Sequence, residues 1–251
     1  MEFAVVRSRA ESGLQAPPVL VEVHLSNGLP AFNMVGMPET AVRESKDRVR
    51  SALINSHFDV PDRRITVNLA PADLPKSSGR FDLPIALGIL AASGQLPGEC
   101  LLQREFFGEL ALDGSLRPVR GLLPAIMVAT REGASAVIPR DNTWPGLPLP
   151  AGRLLPAADL LSLCACLRGR VPFDEPKACP ADNAAATSAA DLAEVLDQPA
   201  ACRALEIAAS GGHNLLLFGP PGTGKSMLAS RLPGLLPPPL PETALTVAAL
   251  T

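Results

Sequence analysis

Eight consecutive residues, Gly219, Pro220, Pro221, Gly222, Thr223, Gly224, Lys225 and Ser226, meet every fixed position of the phosphate-loop pattern G-x-x-x-x-G-K-[ST]. The residue types suit a polyphosphate. Glycines at 219, 222 and 224 let the backbone turn tightly and bring successive N–H groups against phosphate oxygens, next to the positive end of a following helix. The Lys225 ammonium can reach the β- and γ-phosphates, and the Ser226 hydroxyl can serve the Mg²⁺ that bridges them. The cofactors implied are therefore ATP and Mg, with Ser226 as the metal-facing residue.

Such a loop needs a strand before it and a helix after it. Asn214–Phe218 is a short apolar run that predicts a buried strand, and Met227–Leu232 can continue as a helix. The competing reading, a Gly/Pro turn that happens to carry a lysine, fails to explain four matching fixed positions in that context. Upstream, Asp191–Leu196 and Pro199–Ser210 read as helical, and Gly211-Gly212 closes the second helix. Only 25 residues follow Ser226, too few to complete a nucleotide-binding sheet. The chain is thus expected to be the N-terminal piece of a longer protein. The acidic strand end (Walker B), sensor and arginine finger would lie further along, leaving no complete catalytic set here and this chain alone inactive in turnover.

The composition narrows the remaining possibilities. At 251 residues and 47% hydrophobic the chain can bury a sizeable core, and a net charge of −3 lacks the basic balance of a nucleic-acid-binding domain. The longest apolar run, Leu83–Ala92, is far short of a membrane span, and Met1-Glu2-Phe3 begins no signal peptide, so a cytoplasmic protein is expected. Five cysteines (100, 164, 166, 179, 202) without a C-x-x-C pair suit reduced thiols, and Cys164 falls on an apolar helical stripe with Leu160 and Leu167. His24, His57 and His213 form no spaced metal cluster.

Ahead of the loop, strands are predicted at Phe3–Arg7, Val19–Leu25, Ala31–Val35 and around Ile65, Val67 and Leu69. Helices are predicted at Glu39–Asn55, Asp82–Ser93 (apolar nearly all round), Gly121–Arg131 and Pro156–Leu167. Asp113-Gly114 suits a hairpin between Phe106–Leu112 and Ser115–Val119, and Ala136–Ile138 is a further strand. Arg43, Lys46 and Arg50 could meet phosphate, but interleaved Glu39, Glu44 and Asp47 favour an ordinary solvated face. Arg170–Ala190 is Pro/Ala/Asp-rich without an apolar period and reads as a linker. The domain expectation is 1–169, a linker at 170–190, and 191–251.

The run from Arg203 to Ser226 resembles the magnesium-chelatase-like AAA+ proteins. Val21–Phe32, Val35–Leu53, Arg64–Lys76, Arg80–Leu90 and Gly108–Gly121 resemble the bacterial ComM/YifB family, so that the likeness covers all but the linker. It implies an α/β chain: an α+β N-terminal domain with the fold of the Lon proteolytic domain, then the first part of a P-loop AAA+ domain. It also implies self-association into a ring, a hexamer in the family's best-described member, and action on DNA as a branch-migration helicase of natural transformation, with DNA contacts mainly beyond this chain and Arg43, Lys46 and Arg50 as the only candidate cluster within it. Lon-like peptidases use a Ser/Lys dyad. Those positions fall near Phe81-Asp82-Leu83 and on Leu123, so no dyad is present. Lys76, Ser77 and Ser78 are expected in a flexible turn with nothing to lower the lysine pKa, and peptidase activity is not expected. Two rivals remain: a nucleotide-sensing scaffold without turnover, and a metal-inserting chelatase subunit, against which the full domain ahead of the loop argues.

Overall fold

The computed structural model describes residues 2–36, 44–74, 76, 79–142, 144, 152–175 and 191–250. Its internal contacts divide the chain into two units, Met1–Cys179 with Ala244–Thr251, and Pro180–Thr243.

The first unit is built on a seven-stranded sheet. Strands β1 (Phe3–Arg9) and β2 (Pro18–Ser26) form an antiparallel pair, with β3 (Ala31–Val35) next in sequence. Helix α1 (Ser45–Asn55) leads to β4 (Arg64–Ala70), and α2 (Asp82–Ala92) leads to β5 (Arg104–Phe106). A hairpin of β6 (Glu109–Leu110) and β7 (Leu116–Arg117), then α3 (Leu123–Arg131), β8 (Ser135–Pro139), β9 (Leu154–Ala157) and α4 (Leu160–Leu167) complete it. The sheet order is β3-β4-β2-β1-β5-β8-β9, antiparallel where β2 meets β1 and β4 and parallel elsewhere. The chain is α/β, as the sequence predicts.

Alternation decides which sheet face is buried. Val19, Val21, Val23 and Leu25 of β2 face Ile65, Val67 and Leu69 of β4 across the register Val21↔Leu69, Val23↔Val67, Leu25↔Ile65, and all are buried. Every residue of α2 is buried, between this face on one side and α1 and β6 on the other. Each of Leu83, Ile85, Leu87, Ile89 and Leu90 there contributes about 1.5–3 kcal/mol of transfer free energy. Gly88 costs helix propensity but is required, because a Cβ there would stand 2.5 Å from Val23 Cγ2.

Two buried charges, Arg9 and Asp82, are ion-paired. Arg9 forks onto Glu105, both contacts at 2.7 Å, which ties β1 to β5. Asp82, at the first turn of α2, accepts Arg48 Nε at 2.7 Å, Arg48 Nη2 at 3.1 Å, the Ser45 hydroxyl and the Leu110 N–H at 3.2 Å. One carboxylate thereby joins α1, α2 and β6. Leu123, at the other expected dyad position, is buried in α3.

Several expectations need correction. Pro156 lies in β9, and α4 starts after Asp159, whose carboxylate caps the helix by accepting Ser162 N–H at 2.7 Å. The expected Phe106–Leu112 strand is divided: β5 joins the large sheet, whereas β6 pairs with β7 around the Asp113-Gly114 turn. Lys76 is not in a solvated turn. It is fully buried, and its ammonium donates to the carbonyls of Gly36 and Leu74, both at 3.0 Å, and of Pro71. Burial lowers its pKa. Ser77, Ser78, Arg43 and the start of the expected Glu39–Asn55 helix lie outside the described residues, while Lys46 and Arg50 are exposed on α1.

Candidate functional site

The second unit holds the phosphate-loop sequence. Helix α5 (Pro199–Gly211) starts with proline at its first position and is closed by Gly212 in the left-handed region, φ 61°. Leu205 and Ala208 are its buried residues. The loop runs into a short helix, α6 (Lys225–Ala229), followed by α7 (Leu232–Leu235), with α8 (Pro241–Leu250) last in sequence.

Asn214–Phe218 departs from expectation, since it forms no strand. Leu216 is 84% and Phe218 89% exposed. An apolar parallel strand is held by neighbours on both edges and by cover on both faces, and no described strand pairs with this segment. Asp191–Leu196 likewise reduces to a single 3₁₀ turn at Leu192–Glu194.

The loop is built as its glycines predict. Gly219, Gly222 and Gly224 have φ of 149°, 84° and 79°, a region costly to residues bearing a Cβ. Nothing would lie within 4 Å of a Cβ at Gly222, so the backbone there is open to close approach by a ligand. Lys225 reaches back over the loop, its ammonium donating to the Pro220 carbonyl at 2.6 Å and to Thr223 Oγ1 at 3.3 Å. Thr223 Oγ1 donates in turn to the Pro220 carbonyl at 3.0 Å. Ser226, the first residue after Lys225, is exposed. The loop offers an ammonium, two hydroxyls and backbone N–H groups and no carboxylate, a donor set that fits a polyphosphate with its metal.

Two sets of contacts around the loop have no signature in the sequence. Gln198, just before α5, reaches the Thr223 carbonyl at 3.4 Å. Arg231 bonds the Met227 carbonyl at 2.8 Å, the Asp191 carbonyl at 3.1 Å and the Glu194 carboxylate at 3.0 Å, which fastens the 191–194 turn to the end of α6. The contacts of Gln198 with Thr223 and of Arg231 with Asp191 and Glu194 span more than twenty residues, beyond the reach of local pattern. Among the described residues no three His, Cys, Asp or Glu side chains are grouped to hold a metal, and no helix is long and apolar enough to cross a membrane.

Comparison with known proteins bears on both units. The family described as subunit ChlI of Mg-chelatase matches residues 21–142, and magnesium chelatase, subunit ChlI, matches residues 191–251. The chain is 51% identical over 251 residues to the uncharacterised protein YifB of Salmonella typhimurium, covering 100% of this chain and 49% of that protein. It is 50% identical over 254 residues to the competence protein ComM of Haemophilus influenzae, covering 100% and 50%. An uncharacterised protein of Mycobacterium tuberculosis is 42% identical over 250 residues, covering 97% and 48%. The chain spans about half the length of the curated relatives it matches. With both ChlI matches and half of all residues shared along its full length, the chain belongs to the magnesium-chelatase-like AAA+ family that includes YifB and ComM.

Proposed function

We propose that Gly219–Ser226 binds Mg·ATP and that this chain is the ATP-binding part of a AAA+ motor acting on DNA. The observation that carries the reading is the loop itself, three glycines at positive φ with Lys225 laid across Pro220 and Thr223. Gly219, Pro220, Pro221, Gly222, Thr223 and Gly224 would wrap the phosphates with backbone N–H groups. Lys225 would exchange its contacts with Pro220 and Thr223 for phosphate oxygens, and Ser226 would present its hydroxyl to Mg²⁺. Bound Mg²⁺ supplies neutralisation of the charge that builds on the phosphates during transfer.

The proposed organisation is a Lon-like N-terminal domain without a Ser/Lys dyad over 1–169, a linker at 170–190 and the beginning of the ATPase module over 191–251. Asp82 held by Arg48, and Leu123 packed in α3, support a domain that binds or scaffolds and cleaves no peptides. Assembly into a cytoplasmic ring, a hexamer, and movement of branched DNA rest on the family and on the competence protein among the relatives. The ChlI descriptions of the matching families favour a second reading, metal insertion by a chelatase subunit.

The test uses the full-length protein. Lys225→Ala should weaken Mg·ATP binding roughly tenfold or more, or abolish turnover, because it deletes a charge-assisted contact to phosphate. Unchanged ATPase activity in that variant would remove the site. Salt-sensitive binding of branched DNA with DNA-stimulated ATPase supports the motor. Turnover indifferent to DNA but stimulated by a porphyrin and Mg²⁺ supports the chelatase, and binding without turnover supports a nucleotide-sensing scaffold.

A further inference from the structure

We infer that Gln198 is a positioning residue of the phosphate loop: its side-chain amide holds the Thr223–Gly224 peptide in the orientation that presents the Gly224 N–H to an anion. The inference rests on the nucleotide reading above and adds a residue outside the loop motif.

Gln198 precedes α5 but does not cap it with its side chain. Its main-chain carbonyl accepts Cys202 N–H at 3.0 Å, the first hydrogen bond of the helix, while its side chain takes no part in the helix start. That side chain lies along the loop. Nε2 donates to the Thr223 carbonyl at 3.4 Å, and a Cβ built on Gly224 would stand 3.1 Å from the same nitrogen. The amide therefore rests on the peptide unit joining Thr223 to Gly224, and a Cβ at 224 would crowd it.

In a planar trans peptide the carbonyl and the next N–H point in opposite directions. Holding the Thr223 carbonyl toward Gln198 turns the Gly224 N–H away from it. The peptide needs such a hold, because Gly224, at φ 79°, places little steric barrier in the way of a peptide flip. A flip would replace an N–H donor by a carbonyl acceptor beside the phosphates. Thr223 Oγ1 is already engaged with Pro220 and Lys225, so the threonine side chain is committed within the loop while Gln198 grips its carbonyl from outside. A glutamine supplies this donor without bringing a negative charge to an anion site.

Gln198→Met keeps the length of the side chain and removes the donor, and Gln198→Glu keeps the shape and adds a charge. Titration with a fluorescent ATP analogue and Mg²⁺, competition by inorganic tripolyphosphate, and the Tm of the nucleotide-free protein are measured for both variants and the wild type. Gln198→Met should weaken both ligands roughly two- to tenfold, the range of one neutral hydrogen bond, with Tm within about 2 °C of wild type. Gln198→Glu should weaken them further through like-charge repulsion. Wild-type affinity in Gln198→Met overturns the inference and leaves the nucleotide site standing. A Tm fall of several degrees in both variants overturns it too, because Gln198 would then serve stability. Failure of the wild type to bind either ligand overturns the nucleotide reading and this inference with it.

Discussion

Arg48→Met should leave the Asp82 carboxylate buried without its counter-ion. Methionine retains an apolar stem for packing, so the change acts chiefly on charge. The carboxylate is fully buried, takes Arg48 Nε at 2.7 Å and Nη2 at 3.1 Å, and would keep only the Ser45 hydroxyl and the Leu110 N–H. Removing one partner of a buried pair costs about 3–5 kcal/mol. Because 21% of the Arg48 side chain is exposed and water reaches the pair, the lower end, about 3 kcal/mol, is the working figure. For a domain of this size that is a Tm fall of roughly 6–12 °C, read by calorimetry or by circular dichroism.

The sign of the pH dependence tests the cause. Burial pushes the Asp82 carboxyl above its usual range, and hydrogen bonds from Arg48 and Ser45 oppose that shift. Without Arg48 the carboxyl rises further. A group whose folded pKa is raised stabilises the fold below its unfolded value of about 3.9 and loses that contribution as pH rises through the folded value. The deficit of Arg48→Met against wild type should therefore shrink between about pH 7.5 and pH 5. The double variant Arg48→Met/Asp82→Leu, which buries no charge, should recover at least half of the loss. A deficit that is equal at both pH values, or a double variant no better than the single one, would refute the buried-charge account.

Two further outcomes follow from packing. Gly36→Ala should destabilise by at least about 1–3 kcal/mol, since φ is +95° and the new Cβ would fall 2.3 Å from the Leu69 carbonyl oxygen; an unchanged Tm would show that the β3 exit is not as close to β4 as described. The Cys164 thiol is buried and its pKa is pushed up to about 12, so iodoacetamide at pH 8 should label it only after unfolding, and mass-spectrometric detection of Cys164 alkylation in the folded chain would contradict the packing of α4.

Whatever depends on neighbours a few residues apart is legible in the bare chain. Alternation in Val19–Leu25 and Ile65–Leu69, the unbroken apolar surface of Asp82–Ala92 and the glycines of the phosphate loop each express a local period or a local φ requirement, and all appear where the sequence placed them. The apolar run from Leu154 hides the boundary between β9 and α4, which the Asp159 cap marks only in the folded chain.

Tertiary structure decided the rest, because it depends on what the fold brings near. Lys76 reads as a surface lysine until three carbonyls from Gly36, Pro71 and Leu74 surround its ammonium, and Asp82 reads as an ordinary first-turn acid until Arg48 and Ser45 arrive from α1. Asn214–Phe218 shows the same dependence from the other side. Its apolar composition suits a strand, but a strand exists only where partner strands take its N–H and C=O groups, and no described strand does so. Gln198 reaches the loop at Thr223, and Arg231 ties the 191–194 turn behind α6, through contacts separated by 25 and 40 residues, and only the folded chain sets such distances.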